Sequence, residues 1–204
     1  MPKRIFYQLL ILLAGQILSY YGAKAIIANS PHINIALPID GYIPFIPATI
    51  LIYYGCFLFW IINYTLILKT EPEGTYRFLC AELMGKFVCF VTYILLPTIM
   101  IRPELAASDI FTTAMGMMYS LDAPDALFPS MHCYVSWMCG IGLRKKPQIS
   151  QRRRIISVIA ALLVFIATLT TKQHVIVDVI AGVILAELVY LVAGLLPCCK
   201  SAVH

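Results

Sequence analysis

The chain has 204 residues, 61% of them apolar and only 12% charged, with a formal net charge of +5, and its mean hydropathy is +0.86. A soluble domain is nearer half apolar and a quarter charged, so the composition excludes an ordinary water-soluble protein. At ~20 residues per membrane helix, six spans with short loops use the whole chain and leave no length for a separate soluble domain.

The apolar runs and their punctuation predict an all-α fold, a polytopic six-helix transmembrane bundle that forms one integral membrane domain over residues 1–204. The expected spans are 5–27, 45–67, 78–100, 131–143, 155–171 and 175–196. The first follows Lys3 and Arg4 as a signal peptide would, but it is long for one and is interrupted by Gln16, Tyr20 and Tyr21, so it reads as a span. Asn29-Ser30-Pro31 ends it, His32 and Asp40 fall in a first outer loop as solvated residues, and Pro44 and Pro47 open the second span. The ring-rich stretch from Phe111 to Tyr119 is expected at the membrane interface, with Leu121 to Phe128 entering the same zone ahead of a short fourth span.

Orientation follows from the basic residues. Lys3, Arg4, Lys69, Arg77, Arg144, Lys145, Lys146, Arg152, Arg153, Arg154 and Lys200 fall on one side of the six-span arrangement, and Arg102, Lys172 and Lys24 on the other. The positive-inside rule then puts both termini in the cytoplasm. A short loop between spans explains Arg152-Arg153-Arg154, so no nucleic acid is expected as a partner. The seven cysteines read as small hydrophobes and not as a disulfide framework; Cys198-Cys199 falls at a cytoplasmic helix end, where S-acylation is an option but two interfacial thiols are the simpler reading.

Polar residues gather at one depth. Arg102 is expected at the end of the third span, Pro129-Ser130-Met131-His132 at the start of the fourth, and Lys172-Gln173-His174 at the turn into the sixth. Span parity puts all of them on the extracytoplasmic face. Asp178 follows His174 by one helical turn, on the same face. Charge near hydrocarbon is costly and is usually paired, hydrated or functional. The residue types fit attack on a phosphate ester: His174 as nucleophile, Asp178 holding its other ring nitrogen, and His132 as acid and base. Arg102, Lys172 and Ser130, with the amides opening the fourth span, would cradle the phosphoryl oxygens.

Arg102-Pro103, Pro129-Ser130-x-His132 and His174-x-x-x-Asp178 together resemble the three-part signature of the type 2 phosphatidic acid phosphatase superfamily. That resemblance implies a six-helix membrane core, a metal-independent phosphohistidine mechanism with no cofactor, His174 as nucleophile, Asp178 as its partner and His132 as acid–base. Three positions depart from the usual pattern. Leu95 stands where a Lys is customary, Met131 replaces Gly, and Ala167-Thr168 replaces Ser-Arg. Thr171-Lys172-Gln173-His174 and the upstream Asp40-Gly41-x-x-Pro44-Phe45-x-Pro47 look more like the branch near inositol phosphorylceramide synthases, whose members can transfer a phospho-headgroup to another lipid.

The expected function is therefore hydrolysis of a lipid phosphate in the cell membrane, at its extracytoplasmic face, with the bilayer and that lipid as partners. Headgroup transfer to a lipid alcohol is the alternative, and a non-catalytic lipid-phosphate binder or transporter is the rival of another class. Oligomeric state is left open by the sequence. Asp122-x-x-Asp125 near His132 could suggest a metal, but the spacing is not diagnostic and a turn role is expected. Counting ~1.5 Å per residue puts Glu187 and Lys86 at matching depths, which suggests an interhelical ion pair; the competing expectation is Glu82 with Lys86 within one helix.

Overall fold

The computed structural model describes residues 2–105, 109–144 and 146–197, except for the side chains at 72 and 73. Lys145, Cys198, Cys199 and Lys200 lie outside the described residues. Within them the fold is all-α, with seven helices: α1 (Lys3–Ile27), α2 (Ile50–Leu68), α3 (Pro72–Leu95), α4 (Ile110–Leu121), α5 (Met131–Gly142), α6 (Gln151–Thr170) and α7 (Ile176–Ala193). Two short 3₁₀ turns, Pro38–Tyr42 and Pro47–Thr49, lie between α1 and α2.

Among the described residues, five helices are long and apolar enough to cross a membrane: α1, α2 with the turn before it, α3 from Gly74, α6 and α7. Their outer faces carry Leu18, Leu51, Phe87, Ile159 and Leu188, all exposed apolar side chains. A helix with apolar residues on every side suits lipid on one face and protein on the other. The chain is thus a polytopic helical membrane protein.

α5 differs from these five. It has 12 residues, or ~18 Å at 1.5 Å per residue, against a hydrocarbon core of ~30 Å. Nearly all its side chains are buried, and α2, α3, α6 and α7 pack around it. Its close fit to α7 is set by Gly182, where an added Cβ would lie 2.6 Å from the Ser130 carbonyl oxygen.

Several expectations need correction. The third span does not run to residue 100: α3 ends at Leu95, because Pro97 disfavours the helical conformation in Leu96 before it. Residues 97–102 instead form an extended strap. Ile33 bridges Thr98, Ile99 bridges Asp125, and Thr98 Oγ1 accepts the N–H groups of Leu127 and Phe128 at 3.0 and 3.1 Å. Arg102 therefore sits on this strap and not at a helix end. The aromatic stretch from 111 to 119 is a helix in its own right, α4, started by Asp109, whose carboxylate accepts from Phe111 N at 2.7 Å and Thr112 N at 3.1 Å.

Asp40 is not solvated but buried. Its two oxygens accept from Leu37 N and Ile176 N, both at 2.8 Å, which ties the loop between α1 and α2 to the start of α7. The Glu187–Lys86 pair does not form. Lys86 pairs with Glu82 at 3.2 Å, both fully buried, and donates to the Leu12 carbonyl at 2.9 Å. Glu187 instead takes Arg144 at 2.6 Å and the Trp137 indole N–H at 2.8 Å.

Candidate active site

Three segments converge at one end of the bundle: the strap carrying Arg102, the start of α5, and the turn from α6 into α7. Lys172 makes that turn with φ at 52°, a left-handed residue. Thr168 O then accepts the N–H groups of both Gln173 and His174, at 2.9 and 3.2 Å. The doubled bond fixes the backbone leading into His174.

His174 is buried, and its Nδ1 lies 3.2 Å from Asp178 Oδ2. The same oxygen accepts the Val175 N–H at 3.1 Å, a cap at the start of α7 that holds the carboxylate still. In the neutral tautomer with its proton on Nδ1, the ring donates to the carboxylate and leaves the Nε2 lone pair free. Asp178 also anchors α5 through its backbone, since its carbonyl accepts the Ser130 N–H at 3.0 Å. Ser130 caps α5, its Oγ accepting from Cys133 N at 3.2 Å. Tyr93 holds the preceding residue, donating to the Pro129 carbonyl at 2.8 Å.

His132 faces His174 with ring centroids 5.9 Å apart. It lies in an aromatic box, 4.6 Å from Tyr53, 5.5 Å from Trp60 and 6.1 Å from Phe57, and has no hydrogen-bond partner among the described residues. The ring is thus held by packing, with its nitrogens unspent. Both imidazoles line a cavity of about 420 Å³ together with Gln16, Tyr20, Tyr53, Phe57, Asp122 and Gln173.

Arg102 reaches this cavity's wall. Its Nη1 donates to the Asp122 carbonyl at 2.6 Å and its Nη2 to Gln173 Oε1 at 2.8 Å, while the guanidinium stacks 4.3 Å from the Tyr119 ring centroid. Burial holds its pKa below the ordinary value, with the charge of Asp122 opposing that shift. A partly desolvated cation of this kind gains strongly from an anion. Lys172 points elsewhere: its Nζ donates to the carbonyls of Asp40 at 3.1 Å and Ile43 at 2.6 Å. It shares with Arg102 a second cavity of about 460 Å³, lined by the 34–41 loop and the strap.

His132, His174, Asp178 and Ser130 are therefore brought together, Arg102 adjoins them, and Lys172 is turned toward the 40–43 loop. Sequence reasoning passed over a second cluster at the cavity. Lys24 pairs with Asp122 and Asp125 at 2.7 and 2.6 Å, and Tyr20 donates to Asp122 at 2.8 Å. The two acids thus neutralise a lysine delivered by α1; the only signal was that Lys24 is one of three basic residues on the less basic side. The aromatic box carried no signal, since Tyr53, Phe57 and Trp60 read as span residues.

A helical membrane core that sets two imidazoles across a cavity, one of them braced by a carboxylate, defines a membrane protein equipped for His-based chemistry. Over residues 43–192 the sequence matches the PAP2 superfamily (PAP2_3), and the chain belongs to that superfamily. Its members are metal-independent phosphatases, so membership points to phosphatase or phosphotransferase activity on phosphate esters. None of the curated proteins compared with the chain matches it.

Proposed function

We propose that the chain is a lipid phosphatase working through a phosphohistidine on His174. The observation that carries this reading is the braced His174 facing His132 at 5.9 Å between ring centroids. An in-line reaction needs a nucleophile on one side of phosphorus and an acid within hydrogen-bond reach of the leaving oxygen on the other; the two imidazoles line one cavity from separate segments, as that division of roles requires.

In the first step His174 Nε2 bonds to phosphorus while the ester oxygen leaves with a proton from the His132 imidazolium. Asp178 stabilises the cation formed on His174. In the second step neutral His132 takes a proton from water, whose oxygen attacks phosphorus and releases phosphate and free His174. Arg102, the amides at the start of α5 and the Ser130 cap bind the phosphoryl oxygens, and Lys172 adds positive potential from the neighbouring cavity.

A lipid substrate is supported by the cavity walls. Leu13, Ile17, Tyr21, Phe57 and Leu121 line the cavity and are also exposed on the outer surface of the bundle, so a tail can remain in lipid while the phosphate reaches the histidines. On this reading α5 is a sixth, protein-wrapped crossing. The basic helix ends and both termini then face the cytoplasm, and the histidines face outward, in the cell membrane.

Headgroup transfer to a lipid alcohol is the second reading. It is favoured by the linkage between the two segments that look like the inositol phosphorylceramide synthase branch: Lys172 and Ile176 both bond to the loop at Asp40. The deciding assay is phosphate release from a panel of lipid phosphates in EDTA, with and without a lipid alcohol, beside His174→Ala. Release by wild type alone supports the phosphatase. A requirement for the alcohol supports the transferase, and absence of turnover across the panel counts against both.

A further inference from the structure

Gln173 has no part in the steps above, yet it is a buried polar side chain in the wall of the cavity. It is 3% exposed and lines the same cavity as both histidines. Its amide orientation is fixed by chemistry. Arg102 Nη2 donates to one terminal atom at 2.8 Å, and a guanidinium cannot accept a hydrogen bond, so that atom is oxygen. The amide nitrogen therefore turns away from Arg102. It is fully buried and has no hydrogen-bond partner among the described residues.

A buried amide donor without an acceptor is rare in folded proteins. Here it is not alone, because Arg102 Nε is also buried without a partner. Two donors from separate segments, joined by one hydrogen bond, thus carry unmatched N–H groups, one of them on a residue that lines the cavity with both imidazoles. That arrangement suits an anion offering several acceptor oxygens at once.

We infer that Gln173 is a phosphoryl-oxygen ligand: its Nε2 donates to a non-bridging oxygen of the phosphate set between His174 and His132, and its Oε1 holds Arg102 at the same group. The inference rests on the phosphohistidine reading. Charge on the equatorial oxygens is stabilised by donors already in place.

A purely structural Gln173 would only anchor Arg102, and two substitutions separate the roles. Gln173→Glu keeps an oxygen for Arg102 but removes the N–H donor and places negative charge beside the phosphate. Gln173→Met removes both. The measurements are kcat/KM for phosphate release from lipid phosphates and the rise in detergent-solubilised Tm on adding orthovanadate, a phosphoryl mimic that needs no knowledge of the substrate. Both variants should lose about 10²-fold or more in kcat/KM and lose the vanadate shift, while keeping the wild-type Tm without vanadate. If Gln173→Glu keeps at least a third of wild-type kcat/KM while Gln173→Met loses it, the ligand role is overturned and anchoring stands. If only one variant folds, a vanadate shift of wild-type size in that variant overturns the role. A wild-type protein with neither turnover nor vanadate shift would overturn the phosphohistidine reading, and this inference with it.

Discussion

Gly182 on α7 lies directly against Ser130, so that a Cβ built on the glycine would stand 2.6 Å from the Ser130 carbonyl oxygen and 3.1 Å from the Tyr134 nitrogen. Both neighbours are backbone atoms and cannot swing aside. The contact brings α5, with His132, against the helix that starts beside His174. Gly182→Ala should therefore push the helices apart, and a ~1 Å misplacement of reacting groups costs about 10²-fold in rate. The expected result is a large fall in kcat with a smaller change in KM, measured with the preferred lipid phosphate. Unchanged kcat would mean that the two histidines tolerate a looser helix pair.

His132 and His174 should separate kinetically. If His132 supplies the proton to the departing oxygen, a phenolic leaving group of low pKa needs it less than an alkyl one. His132→Ala should therefore abolish release from alkyl phosphates but retain a single-turnover burst of a nitrophenol from an activated ester. His174→Ala should lose both. A burst from His174→Ala, or none from His132→Ala with wild-type folding, would reverse the assigned roles.

Much of this was legible in the sequence, because hydropathy reports which residues avoid water and a motif reports which residues meet. The long spans and the grouping of His132, His174 and Asp178 rest on those two signals. Depth alone was insufficient for Glu187 and Lys86. Counting residues gives the height of a side chain in the membrane but not its direction around the helix, and the partners proved to be Arg144 and Glu82. The burial of Asp40 has no local signal, because one of its oxygens serves the backbone N–H of Ile176, far away in sequence. α4 was missed for a local reason: its cap, Asp109, is a plain helix-start signal, but the aromatic content drew the reading toward the interface.

The Asp109 cap gives a pH prediction. Hydrogen bonds from the Thr112 and Phe111 backbones hold its carboxyl below the usual carboxylate value. A depressed folded-state pKa means the stabilisation is fully present above the unfolded value of ~3.9 and is lost as pH falls through the lower folded value. Hydrogen exchange in residues 110–121 should stay slow at neutral pH and quicken, beyond the intrinsic change, only in that acidic window. Asp109→Asn keeps an acceptor oxygen and should remain capped across the whole range, whereas Asp109→Ala should exchange fast at every pH. Identical profiles for all three proteins would remove the cap from the account.

Glu82 and Lys86 provide the sharpest contrast in stability, because both lie inside the bundle and the Glu187–Arg144 pair does not. Glu82 and Lys86 are 0% and 2% exposed, with Tyr64 donating to Glu82. Removing one partner strands a charge where neither water nor lipid can solvate it, which costs about 3–5 kcal/mol in buried pairs. Replacing both with neutral groups should recover much of that loss. Lys86→Met and Glu82→Gln should therefore each be strongly destabilising, and the double variant less so than either single one. Glu187 and Arg144 are 42% and 49% exposed, and such pairs contribute about 0–1 kcal/mol, so Arg144→Met should change little. Unfolding of the purified variants in a denaturing detergent titration measures all four. Simple additivity of the Glu82 and Lys86 effects would mean that the two charges are solvated independently and do not depend on each other.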